Sequence, residues 1–139
     1  MLVFEAKLEG IDEQYRKLDE AIRTARFVRN ACLRYWMDNR NIGRYELSAY
    51  CAVLAADENF PWAAKLNSMA RQASAERAWS AIARFFDNCK KSRDAINRVC
   101  TGSKGYPRFK KEQTHGCVEY KTSGWKLSDD RRHLTFRRC

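Results

Sequence analysis

The chain has 139 residues and a mass of 16.3 kDa, the size of one ordinary domain. Hydrophobic residues make up 45% of it, which is enough for a core and argues against wholesale disorder. Mean hydropathy is −0.68, and no apolar run approaches the roughly 18 residues that a membrane span needs. The N-terminus lacks the basic-then-apolar layout of a signal peptide. We therefore expect a cytoplasmic protein without a membrane partner.

The positive charge is concentrated in the second part of the chain. There are 27 Lys and Arg against 17 Asp and Glu, for a net charge of +10. Residues 1–60 hold 9 basic and 10 acidic residues, whereas residues 61–139 hold 18 and 7. This asymmetry favours one surface that faces a polyanion such as nucleic acid. A basic protein without such a partner is the alternative.

The first half of the chain has the pattern of a strand followed by helices. Residues 2–8 predict a short strand, which Gly10 ends. From residue 13 to residue 38, apolar residues recur at steps of three and four, which predicts a helix with Asp12 as its N-cap. Residues 39–43 predict a turn, and residues 44–55 a shorter helix.

The second half predicts one long helix and then strands. Phe60 and Pro61 open a short third helix, and Asn67 or Ser68 caps a long fourth one. Residues 92–101 are compatible with a continued helix, and a loop follows them. Later segments predict three short strands with a hairpin turn before the last. The strands are residues 118–122, 125–127 and 133–136, and the turn is residues 129–132.

This order predicts an α+β fold, because helices lie between an early strand and a late hairpin. We expect a small antiparallel β sheet or partial barrel, interrupted by an inserted helical bundle, with the first strand paired to the hairpin. We expect residues 1–10 to carry the first strand, residues 11–100 the helical bundle, and residues 101–139 a basic loop and the later strands. The predicted helical core consists of Leu18, Ile22, Trp36, Trp79, Ile82 and Phe86.

Catalysis and metal binding have little support in the sequence. Six cysteines are scattered without a C-x-x-C pair, which favours reduced thiols over a zinc site; a disulfide framework is the alternative for a secreted chain. The acids fall mostly in helix first turns, loops and a hairpin, and Asp129-Asp130 at the turn is typical of solvated acids rather than of a metal site. No phosphate-loop, nucleophile-elbow or zinc-protease motif occurs. We therefore expect no cofactor and no enzymatic activity of this chain's own.

Nucleic-acid binding has three supports, each with a structural alternative. The first is the basic stretch after the long helix, where phosphate contacts would give salt-dependent affinity; a solvated basic tail is the alternative. Its candidate contacts are Lys90, Lys91, Lys104, Arg108, Lys110 and Lys111, with Tyr106 as an aromatic that stacks on a base or packs under the sheet.

The second support is the polar face of the first helix, where guanidinium groups flank Phe27. That face carries Arg16, Arg23, Asn30 and Arg34, and the alternative is a solvated face with Phe27 packed on a neighbouring helix. Arg29 is out of place, since it lies inside the apolar stripe, although a long side chain can reach out of such a stripe.

The third support is the start of the long helix, where a positive dipole end favours phosphate. Its candidates are Ser68, Arg71 and Gln72, and the alternative is local capping. The outer face of the same helix adds Arg77 and Arg84.

Four segments resemble the N-terminal part of the TnpB (OrfB) proteins of insertion sequences. Residues 26–33, Arg-Phe-Val-Arg-Asn-Ala-Cys-Leu, are similar to the family's R-x-x-x-N-x-x-L helix. Residues 45–48 resemble its Tyr/Ser-bearing second helix, and residues 72–86 its recognition helix with Gln, Ala and Phe. Residues 105–110, Gly-Tyr-Pro-Arg-Phe-Lys, match the G-x-P-x-F-K element, the most specific of the four.

The resemblance implies a β-barrel wedge domain interrupted by a helical recognition domain. In this family of RNA-guided nucleases, these domains hold guide RNA and its duplex with target DNA, and they read a short flanking DNA motif. The resemblance makes Arg26 and the other helix-one arginines contacts of the duplex backbone. It makes Tyr45, Ser48, Gln72, Lys121, Thr122 and Ser123 candidates for the flanking motif.

The resemblance does not extend to the family's nuclease. The RuvC-like domain, with its acidic metal ligands, and a zinc-binding cysteine cluster follow the wedge in such proteins, and this chain has no residues to carry them. We therefore expect a truncated product, a fragment or one subunit of a split assembly, in a prokaryotic, nucleoid-associated location. A partner polypeptide that carries the nuclease, or a stand-alone DNA-binding regulator, are the alternative functions.

Overall fold

The computed structural model describes residues 1–94, 105–112 and 116–137. Its elements are three helices, a 3-10 turn and a two-stranded sheet. In chain order they are α1 (Asp12–Asp38), α2 (Arg44–Ala56), the 3-10 turn Ala63–Lys65, α3 (Ser68–Asp94), β1 (Trp125–Leu127) and β2 (Leu134–Phe136). The fold is therefore mixed, with helices followed by a small antiparallel sheet.

Side chains next to the helix starts bind free backbone groups there. At α1, Gln14 Oε1 accepts the Ile11 N–H at 3.0 Å, so that Ile11, rather than the predicted Asp12, occupies the capping position. At α3, Asn67 Oδ1 accepts the Met69 N–H at 2.9 Å, which confirms the predicted cap. These contacts set where each long helix begins.

The three helices bury one core, in which every helix contributes apolar residues three or four positions apart. The fully or nearly buried members are Val28, Cys32, Leu33, Leu47, Cys51, Leu54, Ala75, Ala78 and Ile82. Ile82 confirms part of the predicted core, and Trp36 and Trp79 pack on its edge. Leu18 and Ile22 are only half-buried, and Phe86 is 48% exposed, so the predicted core extended too far towards the ends of both long helices.

The last described segment docks on the helices through a second, smaller cluster. Val118 and Tyr120 pack against buried Ala25, Leu66 and Ala70. From there the chain runs into the hairpin, where Trp125 pairs with Phe136 and Leu127 with Leu134. The predicted late hairpin and its turn are confirmed.

Two predicted strands are absent. Residues 2–8 are exposed and form no strand, and they are tied to the start of α1 by the Tyr15 hydroxyl, which accepts the Gly10 N–H and donates to Leu8 O. Residues 118–122 form no strand either, because Val118 and Tyr120 face the helices instead of a neighbouring strand. The first strand consequently does not pair with the hairpin, and the predicted third helix is reduced to the 3-10 turn.

The described cysteines are free thiols, as their scattered positions predict, and the described helices agree with the absence of a long apolar run in the sequence. In the described ranges, Cys32 and Cys51 are buried free thiols and Cys117 is an exposed one. Of the helices in the same ranges, none combines the length and the apolar character that crossing a bilayer requires.

Candidate nucleic-acid interface

The segment 105–112 is held across α1 by the Asn30 amide. Asn30 Nδ2 donates to Lys110 O and Asn30 Oδ1 accepts the Lys110 N–H, both at 2.9 Å. One side chain thus supplies the donor and acceptor that a neighbouring strand would supply. Arg29 Nη1 adds a hydrogen bond to Arg108 O at 3.1 Å. The backbone of this basic segment is therefore fixed to the helix.

The start of the same segment is fixed by packing. Gly105 has a φ of +70°, a conformation that side chains disfavour, and Pro107 is buried. The Tyr106 ring lies 5.1 Å from Phe85 and 6.0 Å from Trp36, centroid to centroid, although half of the residue remains exposed. Gly105, Tyr106 and Pro107 of the G-x-P-x-F-K element thus hold the segment on the helices.

The docked segment forms one wall of a groove between α1 and α3. The groove has a volume of about 290 Å³. Its lining includes five cationic side chains and, among the described residues, no carboxylate. The cations are Arg26 and Arg29 on α1, Arg77 and Arg84 on α3, and Lys110 on the segment.

Helical spacing brings these side chains together. Arg26 and Arg29 are three positions apart and Arg77 and Arg84 seven, so each pair lies on one face of its helix. The residues at the base of the groove are small and leave it open: Ala25, Ser74 and Ala81.

Gly116 allows the chain to approach α1 closely. A Cβ at this position would overlap Ile22 Cγ2 and lie 3.0 Å from Arg26 Nη2. Any larger residue would push this side of the groove outwards or displace the Arg26 guanidinium. A glycine at the rim is therefore part of how the groove is built.

The charges within the groove repel one another. Burial, and then the positive charge of Arg77, lower the pKa of the Arg29 guanidinium. Arg77 has one carboxylate nearby, Glu119, with its Oε2 at 3.5 Å from Nε. A half-buried cation beside other cations is unfavourable until an anion is bound, because the local dielectric screens like charges less than water does.

The two serine hydroxyl groups that line the groove already donate hydrogen bonds within α3 rather than to a bound anion. Ser74 Oγ donates to Ala70 O at 3.0 Å and Ser80 Oγ donates to Glu76 O at 2.9 Å. The protons of both hydroxyls are engaged by helix carbonyls, so guanidinium and ammonium groups are the side-chain donors of the groove. Such donors suit phosphate oxygens.

Four residues predicted from sequence meet in this groove: Arg26, Arg77, Arg84 and Lys110. Arg29 also lines the groove. It was not named individually as a candidate contact, although its position inside the apolar stripe of the first helix was the available signal.

Four other predicted residues bind within the protein. Asn30 holds Lys110, and Arg34 pairs with Asp38 at 3.0 Å on the same helix. Arg71 Nη1 donates to the carbonyls of the 3-10 turn, and Lys121 Nζ binds Glu76 Oε1 at 2.8 Å. Phe27 packs inside the protein, as in the structural alternative, but on the loop residue Phe60 rather than on a helix, with ring centroids 4.9 Å apart.

The remaining predicted residues lie outside the groove lining. Tyr45 on α2 is 85% exposed, and Ser48 on α2 and Gln72 on α3 are half-buried. Lys104 lies outside the described residues. The others are exposed: Arg16, Arg23, Ser68, Lys90, Lys91, Arg108, Lys111, Thr122 and Ser123.

Metal ligation and known relatives add no further assignment. Across residues 1–94, 105–112 and 116–137, no three His, Cys, Asp or Glu side chains are grouped so as to hold a metal ion. The chain matches no known family model, and no curated protein is significantly similar to it.

Proposed function

We propose that this chain is a nucleic-acid-binding module of a TnpB-like RNA-guided system. In this role it holds guide RNA and contacts the guide–target duplex and flanking DNA, without a cleavage activity of its own. The observation that carries the proposal is the groove between α1 and α3, where five cations meet without a lining carboxylate among the described residues. Phosphate groups are the ligands that such a set of donors prefers.

The proposed architecture goes further than the observed sheet. The hairpin β1–β2 would belong to a partial barrel that acts as the wedge, and α1, α2 and α3 would form the bundle of the recognition domain. The docked segment 105–112 supports this division, because it lies between α3 and the hairpin in the chain and is held on α1 by Asn30 and Arg29. It also contributes Lys110 to the groove.

The test is a binding measurement on matched charge variants. Arg84→Gln with Lys110→Gln removes two charges from the groove, and Arg40→Gln with Lys65→Gln removes two exposed charges elsewhere. Ligands are RNA from the adjacent transposon end, an unrelated structured RNA and duplex DNA, each titrated at several salt concentrations. Each phosphate-binding cation that a variant removes should reduce the salt slope by about one.

We expect the salt slope of the groove variant to fall by about two, because two phosphate-binding cations are removed. We also expect this variant to bind the cognate RNA no better than the unrelated one. The control variant should keep the preference. Equal weakening in both variants would contradict the proposal, since the net charge alone would then account for binding. Circular dichroism and thermal melting confirm that each variant is folded.

A second candidate function rests on the hairpin. Trp125, Leu127 and Leu134 share one face of it and are 41%, 39% and 42% exposed. An apolar face of this kind is typical of a contact with another polypeptide. In this alternative, the chain is a subunit that binds nucleic acid together with a partner carrying a RuvC-like domain.

A size measurement on the chain, with and without such a polypeptide added in trans, separates the two candidates. A stable complex that is lost in Leu127→Ser with Leu134→Ser supports the split assembly. Full cognate RNA binding by the chain alone favours the self-sufficient module.

A further inference from the structure

We propose that the groove between α1 and α3 is a pocket for linked phosphoryl groups, such as the 5′-triphosphate of an RNA, rather than a track for phosphodiester backbone. This inference rests on the proposed function, because it names the part of the nucleic acid that the groove takes. A free nucleoside triphosphate carries the same chemistry, and the experiment below distinguishes the two sources.

The first argument is charge density. Charges along one nucleic-acid strand follow at about 3.4 Å of helix axis, so the stretch of strand that passes through one groove brings few charges. Five cations line this groove, and Glu119 pairs with one of them, Arg77. A triphosphate chain brings about four negative charges into the same space.

The second argument is direction. The cations come from three elements: α1, α3 and the segment 105–112. A backbone that lies along a surface meets donors on one side of it. A short chain of phosphoryl groups has non-bridging oxygens on every side, and planar guanidinium groups bind such oxygens in pairs. Donors on several walls therefore fit the short chain better.

The third argument is the state of Arg29. Its guanidinium is half-buried, and its pKa is lowered by burial and by Arg77. A multivalent anion relieves the repulsion between these cations more than one diester does, because the Coulomb energy scales with charge. The small floor residues Ala25, Ser74 and Ala81 leave room for the anion to approach Arg29.

The experiment compares three RNAs of one sequence that differ at the 5′ end: hydroxyl, monophosphate and triphosphate. Each is titrated against the full chain near physiological salt. We expect the triphosphate RNA to bind at least about tenfold more tightly than the hydroxyl RNA, the gain of one charge-assisted hydrogen bond. Inorganic tripolyphosphate should compete with it, and the monophosphate should lie between the two.

The same titrations are made on Arg84→Gln with Lys110→Gln and on the control Arg40→Gln with Lys65→Gln. The groove variant should lose the preference for the triphosphate end, and the control should keep it. A preference that survives in the groove variant overturns the assignment to this groove, provided that melting curves show both variants folded.

The remaining outcomes separate this inference from the proposed function. Equal binding of all three ends, with dependence on the groove, overturns the pocket and leaves nucleic-acid binding standing. ATP is titrated in the same way as a free nucleoside triphosphate. Binding of ATP and tripolyphosphate with no added affinity from RNA supports the pocket and overturns the proposed function. Absence of groove-dependent binding to any of these ligands overturns both.

Discussion

The helical part and the hairpin part of this protein use the same kind of apolar pattern with different results. Leu33 and Leu47 are fully buried between α1, α2 and α3, whereas Leu127 and Leu134 in the hairpin are about 40% exposed. In both parts, apolar residues share one face of their element. The difference shows that a pattern identifies a face but not what covers it. The cationic groove lies between α1 and α3. Lys110, Gly116 and Cys117, which precede the hairpin in the chain, also line it.

The largest effect that separates the two parts is the loss of a core side chain. Leu33→Ala should lower the free energy of unfolding by about 2–5 kcal/mol, because it leaves a cavity among packed helices. Leu134→Ala should cost below about 1 kcal/mol, since its side chain is only partly buried. Urea unfolding followed by circular dichroism measures both. Equal losses would mean that the hairpin face is covered in solution.

Thiol reactivity tests the same contrast without changing a residue. Cys32 and Cys51 are buried between α1 and α2, and the hydrogen bond with Cys51, together with burial, raises the pKa of the Cys32 thiol. Cys117 is exposed. Under native conditions Cys117 should be alkylated at least about 100-fold faster than Cys32 or Cys51, which need local opening. Mass spectrometry of timed samples gives the rate at each thiol, and similar rates would contradict a closed core.

The Asn30 contact, which holds the segment 105–112 on α1, is the next effect in size. Asn30→Asp removes the donor to Lys110 O and places a carboxylate beside that carbonyl, at an expected cost of about 1–2 kcal/mol. Arg34→Ala is the matched change on the same helix, and it removes an exposed pair worth about 0.3–0.5 kcal/mol. Chemical unfolding compares them. A cost for Asn30→Asp no larger than that control would show that the segment is not held there.

The sequence was sufficient to predict α1, α2, α3 and the hairpin. The short third helix and the larger sheet that it also predicted are not found among the described residues. Periodicity located α1, α2 and α3 because each helix covers one shared core, and turn residues located the hairpin. Residues 2–8 have a strand-like pattern, but a strand needs a neighbour, and that depends on the rest of the fold. The same limit explains Val118 and Tyr120, which pack on the helices.

The site was predictable to a similar degree. The basic stretch identified Lys110 as a candidate contact, and the outer face of the long helix identified Arg77 and Arg84. Arg26 was a candidate only through the TnpB resemblance. Sequence could not show that Asn30 binds the backbone of Lys110, because 80 residues separate the two. Arg29 broke the apolar stripe, and whether such a residue snorkels to solvent or lines a groove depends on the neighbouring helix.

The smallest expected effect is the ion pair that ties residues 116–124 to α3. The hydrogen bond from Lys121 Nζ to Glu76 Oε1, at 2.8 Å, and the charges of Lys121 and Arg44 lower the pKa of Glu76 below its ordinary 4.5. A carboxyl whose pKa is lower in the folded state stabilises the fold above its unfolded pKa. That stabilisation is lost as the pH falls through the folded pKa. Since Glu76 is 40% exposed, it should be worth about 0.5–1 kcal/mol.

Glu76→Gln should therefore be less stable than the natural chain at pH 7, and the difference should shrink below pH 4.5 and vanish at lower pH. Urea unfolding at pH 7, 5 and 3 measures it, with Glu58→Gln, at an exposed loop position, as the matched control. High salt should reduce the difference at pH 7, because the pair is partly exposed. A difference that does not shrink between pH 7 and pH 3 would assign the effect to packing. Residues 116–124 would then be joined to the helices through Val118 and Tyr120 rather than through charge.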